Sequence, residues 1–95
     1  MFDCTGWVVR ADAGRDKGSI FCVVGVDQER GRLLLADGKR RKAARPKAKK
    51  PGHVRALTDR VYDHPVVHSL KQGEPVSDRA LRRALAAFKE GSTLG

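Results

Sequence analysis

The sequence is poor in rings: five aromatic residues, Phe2, Trp7, Phe21, Tyr62 and Phe88, occur among 95. A platform that stacks bases, or a groove for aromatic peptides, needs several rings on one face. Neither is expected here, and Trp7 reads as a core residue. Cysteine is equally scarce. Cys4 and Cys22 lack CxxC spacing and offer neither a metal knuckle nor a disulfide framework; Cys22 lies inside an apolar run and is expected as a buried, unpaired thiol. His64 and His68 stand at HxxxH spacing, but Pro65 between them puts His64 ahead of a helix, as a cap rather than a metal ligand. There is no Walker-type GxxxxGK[ST] loop, nucleophile elbow or paired catalytic acid, so no enzymatic activity, cofactor or metal is expected. No apolar stretch approaches the roughly 20 residues that span a bilayer. Residues 1–5 lack both the basic start and the apolar middle of an export signal, which points to the cytoplasm.

Acid is missing from one place above all. Residues 39–50 contain eight cations, Lys39, Arg40, Arg41, Lys42, Arg45, Lys47, Lys49 and Lys50, and no Asp or Glu. Residues 1–38 carry five Lys or Arg against six Asp or Glu, and residues 51–95 seven against five, so nearly all of the formal +9 sits in this segment. A positive potential that local fits a surface facing phosphates or another polyanion; its bland counterpart is a solvated basic linker. Asp37-Gly38 ahead of it is a hairpin signal, and Pro46 and Pro51 exclude a helix.

Turn signals divide the first 57 residues into five short strands. Residues 6–10 are β-branched and aromatic, with Trp7 and Val9 facing one way and Val8 the other. Residues 14–18, Gly-Arg-Asp-Lys-Gly, form a tight loop whose flanking Gly14 and Gly18 permit positive φ and present Arg15 and Lys17. Residues 19–26 are the longest apolar run and read as a buried strand, with Gly25 marking a bulge. Gly31 suits a hairpin turn into residues 32–36. Asp37-Gly38 then predicts a fourth strand over residues 40–44, with Arg40 and Lys42 on one face and Arg41 and Ala43 on the other. Residues 47–52 read as a mobile tail and residues 53–57 as a fifth strand. Five sequential strands suggest a small antiparallel barrel, because closure removes exposed edges.

After Leu57 the period changes. Pro65 at a first helical position starts a short helix ending at Gln72-Gly73. Ser77 reads as an N-cap, with Val76 and Leu81 as a hydrophobic staple, for a longer helix that carries Leu81, Ala84, Leu85 and Phe88 inward and stops at Gly91. The expected organisation is therefore a barrel over residues 1–57 and a helical extension over residues 58–95 packed on it: mainly β, with C-terminal α.

Residues Gly6-Trp7-Val8-Val9, the AGRDKG run of residues 13–18, the apolar residues 21–26, Ala36-Asp37-Gly38, Arg41-Lys42 and Pro46-Lys47 together resemble the bacterial KOW-domain RNA-binding proteins. Those are similar to the KOW-containing large-subunit ribosomal proteins of archaea and eukaryotes. The resemblance covers residues 6–57; it implies an SH3-like barrel without catalysis, and binding to RNA or ribosomal components. Arg15, Lys17, Arg41, Lys42 and Lys47 would then lie in or near the RNA-facing surface, and Gly18 would follow its first loop. Pro51-Gly52 ahead of His53 departs from the family's more uniformly basic approach to the last strand, which leaves the path of residues 47–53 open.

The reading is thus a monomeric module for ribosomal or other structured RNA, with ribosomal proteins as further partners and no membrane. Its candidate interface comprises Arg15, Lys17, Lys39, Arg40, Arg41, Lys42, Arg45, Lys47, Lys49, Lys50 and His53, positioned by turns at Gly14, Gly18, Asp37 and Gly38. The rivals are a protein-interaction adaptor built on the same barrel and nonspecific binding of polyanions or membrane surfaces. Sequence readout is not expected, since phosphate contacts position a protein without specifying bases.

Overall fold

The computed structural model describes residues 2–92, with Ser92 by its backbone alone. Met1 and residues 93–95, the outer ends of the two expected ranges, lie outside the described residues. The strands are β1 (Val8–Ala11), β2 (Ile20–Asp27), β3 (Arg32–Ala36), β4 (Lys47–Lys49) and β5 (Val54–Ala56), followed by α1 (Pro65–Lys71) and α2 (Asp78–Ser92). All five strands form one antiparallel sheet in the order β4-β3-β2-β1-β5.

The connection between the two outermost strands forces that sheet to curl. In a flat sheet β4 and β5 would lie about 19 Å apart, four strand spacings of ~4.8 Å. Yet Lys49 and Val54 are joined by four residues, of which Pro51–His53 wind as a single 3-10 turn. With about 2 Å of rise per residue in such a turn, the link reaches only about 13 Å. The sheet therefore rolls until its edges approach, the barrel expected from the turn pattern. A register shift between Val23 and Gly25 opposite β3 supplies the bulge that bends the longest strand.

Period-two alternation splits the apolar side chains between two cores. Val9, Ala11, Phe21, Val23, Leu33 and Leu35 fill the barrel, with Trp7, Cys4 and Val54 packed against them. Val8, Cys22 and Ala36, aligned across β1, β2 and β3, face outward and are covered by Val67 of α1 and by Leu81, Ala84 and Leu85 of α2. Each fully buried large side chain contributes about 2 kcal/mol, so the second core matters to a chain this short. Both helix starts follow their caps: His64 Nδ1 accepts from the Val66 N–H at 3.2 Å, and Ser77 Oγ from the Ala80 N–H at 3.1 Å.

Three expectations are corrected. Residues 40–44 are not a strand. The Asp37 carboxylate accepts the N–H groups of Lys39 and Arg41, both at 2.9 Å, and the Arg41 carbonyl accepts those of Asp37 and Gly38, both at 3.0 Å. That closed turn consumes the amides a strand would have offered its neighbour. Second, residues 47–52 are not a mobile tail: Lys47–Lys49 is the fourth strand, pairing Leu35 with Lys47 and Leu33 with Lys49, and Pro51 and Gly52 belong to the 3-10 turn. Pro46, without an N–H to donate, stands just before it. Third, Gly91 does not stop α2, which runs on to Ser92.

Candidate nucleic-acid interface

The loop between β1 and β2 is wound by its own backbone: Lys17 N–H donates to the Gly14 carbonyl at 3.2 Å, Gly18 N–H to Ala11 at 2.8 Å and Ser19 N–H to Asp16 at 2.9 Å. This winding turns Asp16 inward, leaving it 3% exposed, while Arg15 and Lys17 on either side stay in solvent. A buried carboxylate needs a cationic or hydrogen-bonding partner. Arg41 Nη2 donates to Asp16 Oδ2 at 2.9 Å, and Arg40 Nη1 lies 3.8 Å from Oδ1 and donates to Ser19 Oγ at 3.3 Å. The two basic loops are thereby joined.

The second loop, residues 37–45, is also held from below by α2. Arg82 Nη1 donates to the Gly38 carbonyl at 2.6 Å, and Asp78 Oδ1 accepts from the Ala43 N–H at 2.7 Å. Gly38 has φ +78°, and a Cβ there would run into the Asp78 carbonyl, so only glycine lets the loop sit this close to the helix. Lys39, Arg40 and Lys42 are consequently held on a clamped loop and exposed. A helix-backed turn, rather than the expected fourth strand, sets the directions of these side chains. Arg41 is turned inward and one-third exposed at its side chain, with Nε buried and without a hydrogen-bond partner.

On the other flank, β4 and the 3-10 turn close on the same first loop. Lys49 Nζ donates to the Ala13 carbonyl at 2.8 Å, and the Asp12 N–H donates to the His53 carbonyl at 2.8 Å. Lys49 pairs with Leu33, whose side chain faces the barrel interior, so its stem is drawn inward and only 8% of the residue is exposed. Its expected place in the interface is corrected: it is a strut under the Gly14 turn, where a Cβ on Gly14 would come within 3.0 Å of Nζ. Arg45, Lys47, Lys50 and His53 remain exposed. Three segments distant in sequence, residues 12–18, 37–42 and 45–53, therefore meet around one loop. An open cleft lined by Gly18, Ser19, Asp37, Lys39, Arg40 and Lys89 runs along their border with α2.

No protein-family model and no curated protein matches the chain.

The chemistry this surface offers is anion contact. Arg15, Lys17, Lys39 and Lys42 have no acidic partner among the described residues, and those residues contain no group of three or more His, Cys, Asp or Glu placed to hold a metal ion. No helix among them is long and apolar enough to cross a membrane. Asp16, Asp78 and Arg82 escaped the sequence reading. The signal for Asp16 was present: an acid between two cations, inside a glycine-bounded loop, in a chain whose main excess charge is positive. Asp78 and Arg82 are four apart at the start of a helix, a spacing that puts both on one face, but nothing local says what that face meets.

Proposed function

We propose that the chain is a noncatalytic, monomeric RNA-binding module of the cytoplasm, related to the bacterial KOW-domain proteins. It grips the backbone phosphates of ribosomal or other structured RNA with the converging loops. One observation carries this reading: the buried Asp16 carboxylate joins the two basic loops through Arg41 and Arg40, and so holds Arg15, Lys17, Lys39 and Lys42 outward in one array. A solvated linker has no use for such a tie, whereas a phosphate-binding surface gains from cations ordered before the RNA arrives. Few rings accompany them, in keeping with little base specificity.

The test is fluorescence anisotropy with a labelled oligouridine and a labelled RNA hairpin over a range of salt. Contacts from Arg15, Lys17, Lys39, Arg40 and Lys42 contribute about −3.5 to the slope of log affinity against log salt on the single strand, at roughly 0.7 per contact. The combined variant Arg15→Gln, Lys17→Gln, Lys39→Gln and Lys42→Gln, which leaves every side-chain hydrogen bond and ion pair named above intact, should flatten the slope by about 2.8. Binding to neither RNA, or equal binding by this variant, refutes the reading.

A further inference from the structure

A second cationic site lies outside those loops, where the chain entering α1 meets the start of α2. His64, Val66, Ser77, Arg79, Ala80 and Arg83 line an open cleft there of about 490 Å³, with no carboxylate among them. Arg79 and Arg83 are four apart on α2 and exposed, and their side chains have no hydrogen bond or ion pair among the described residues. Like charges at that spacing repel, and cations near a helix N-terminus oppose the macrodipole. The nearby acids offer no relief: Asp78 turns its Oδ1 to the Ala43 N–H on the far flank of α2, and Asp63 pairs with His68 Nε2 at 2.8 Å. His64 contributes a donor. Its Nδ1 accepts the Val66 N–H, so in the neutral ring the hydrogen sits on Nε2. Two unpaired guanidinium groups, an imidazole N–H and the Ser77 hydroxyl thus border a space that repels cations and suits a tetrahedral oxyanion.

We propose that this cleft is a second phosphate-binding site, which takes a backbone phosphate of the same RNA at a point the loop surface does not reach. The two sites flank α2: Asp78 and Arg82 face the loops, whereas Arg79 and Arg83 face the α1 side. At 3.6 residues per turn the two pairs project roughly 100° apart around α2, so Arg79 and Arg83 point away from the loops that Asp78 and Arg82 hold. RNA held at both flanks straddles α2, which makes the helical extension part of the recognition surface as well as a cover for the barrel. This inference rests on the RNA-binding reading for the source of the phosphate, but not for the anion site itself.

The decisive comparison is among three variants: Arg79→Gln with Arg83→Gln, the four-residue loop variant above, and Arg30→Gln with Arg55→Gln, exposed positions elsewhere that match the charge change. Removing two contacts should flatten the oligouridine salt slope by about 1.4 and weaken binding about 25-fold at 0.1 M salt, from 0.7 per contact. The Arg30 and Arg55 variant should stay within about threefold of the parent, since it removes charge but no contact. Equal, small losses in the Arg79/Arg83 and Arg30/Arg55 variants, alongside a large loss in the loop variant, overturn the second site and leave the loop interface standing. If the parent protein binds no RNA, titration with inorganic phosphate decides the site independently. Amide NMR shifts at Ser77, Arg79 and Ala80 that disappear in Arg79→Gln with Arg83→Gln support it; their absence in the parent overturns it.

Discussion

Replacing Asp16 by Asn separates a preorganised surface from a merely charged one, because the two predict opposite signs. The substitution raises the formal net charge from +9 to +10. If RNA were attracted only by the summed field, affinity would rise. If the carboxylate positions the loops, affinity falls. Asp16 is 3% exposed and its Oδ2 is 2.9 Å from Arg41 Nη2, so losing the charge leaves the guanidinium without its counter-ion. Breaking a fully buried pair from one side costs about 3–5 kcal/mol. Arg41 keeps 32% side-chain exposure, which lets water screen the orphaned charge, and about 2 kcal/mol is the expected loss. In a domain of this size that lowers the Tm by roughly 8–16 °C. Each cation that loses its place should weaken binding about fivefold at 0.1 M salt. Calorimetry and hairpin anisotropy, the latter well below the variant's Tm, measure both effects. The double variant Asp16→Asn with Arg41→Gln should be more stable than the sum of the single losses predicts, with a coupling of at least about 1 kcal/mol. A Tm within about 2 °C of the parent, together with unchanged or tighter RNA binding, would refute the reasoning.

Lys49 should behave as a strut: Lys49→Ala loses the buried stem and the bond to the Ala13 carbonyl and costs about 1–2 kcal/mol, while Lys39→Ala leaves stability nearly unchanged but weakens RNA binding more. Thermal melts and anisotropy on the two variants check this, and the reverse ranking would contradict it. The thiols should differ as their burial does. Burial pushes Cys22 up to about 12 and raises Cys4 less far, so at pH 8.5 iodoacetamide should label Cys4 slowly and Cys22 only in denaturant, read by intact mass. Because the unfolded chain ionises Cys22 near the ordinary thiol value of 9.0 and the folded chain only near 12, its contribution leaves stability untouched below pH 9 and erodes it as pH rises between those values. Urea melts at pH 8 and 10.5 should show this slope shrinking in Cys22→Ala.

Short-range signals specify much of this protein. Alternating apolar residues, Gly25, Gly31 and the caps at His64 and Ser77 mark β1, β2, β3 and both helices, because strand alternation, bulges, turns and caps depend on a few neighbouring residues. The concentration of charge in residues 39–50 is likewise a property of composition, and so is the surface class it suggests. Which of those cations face solvent is not. Asp37-Gly38 looks the same locally whether a strand or a closed turn follows; the turn prevails because Asp78 takes the Ala43 N–H and Arg82 holds the Gly38 carbonyl, partners 35 and 44 residues away. Lys49 and Lys50 are adjacent and chemically identical, yet one is drawn beneath the Gly14 turn by pairing with Leu33 and the other is left in water. Arg40 and Arg41 divide in the same way around Asp16. Helix and strand are decided by contacts along the chain, but the direction and burial of each charge are decided by neighbours that only the closed barrel brings within reach.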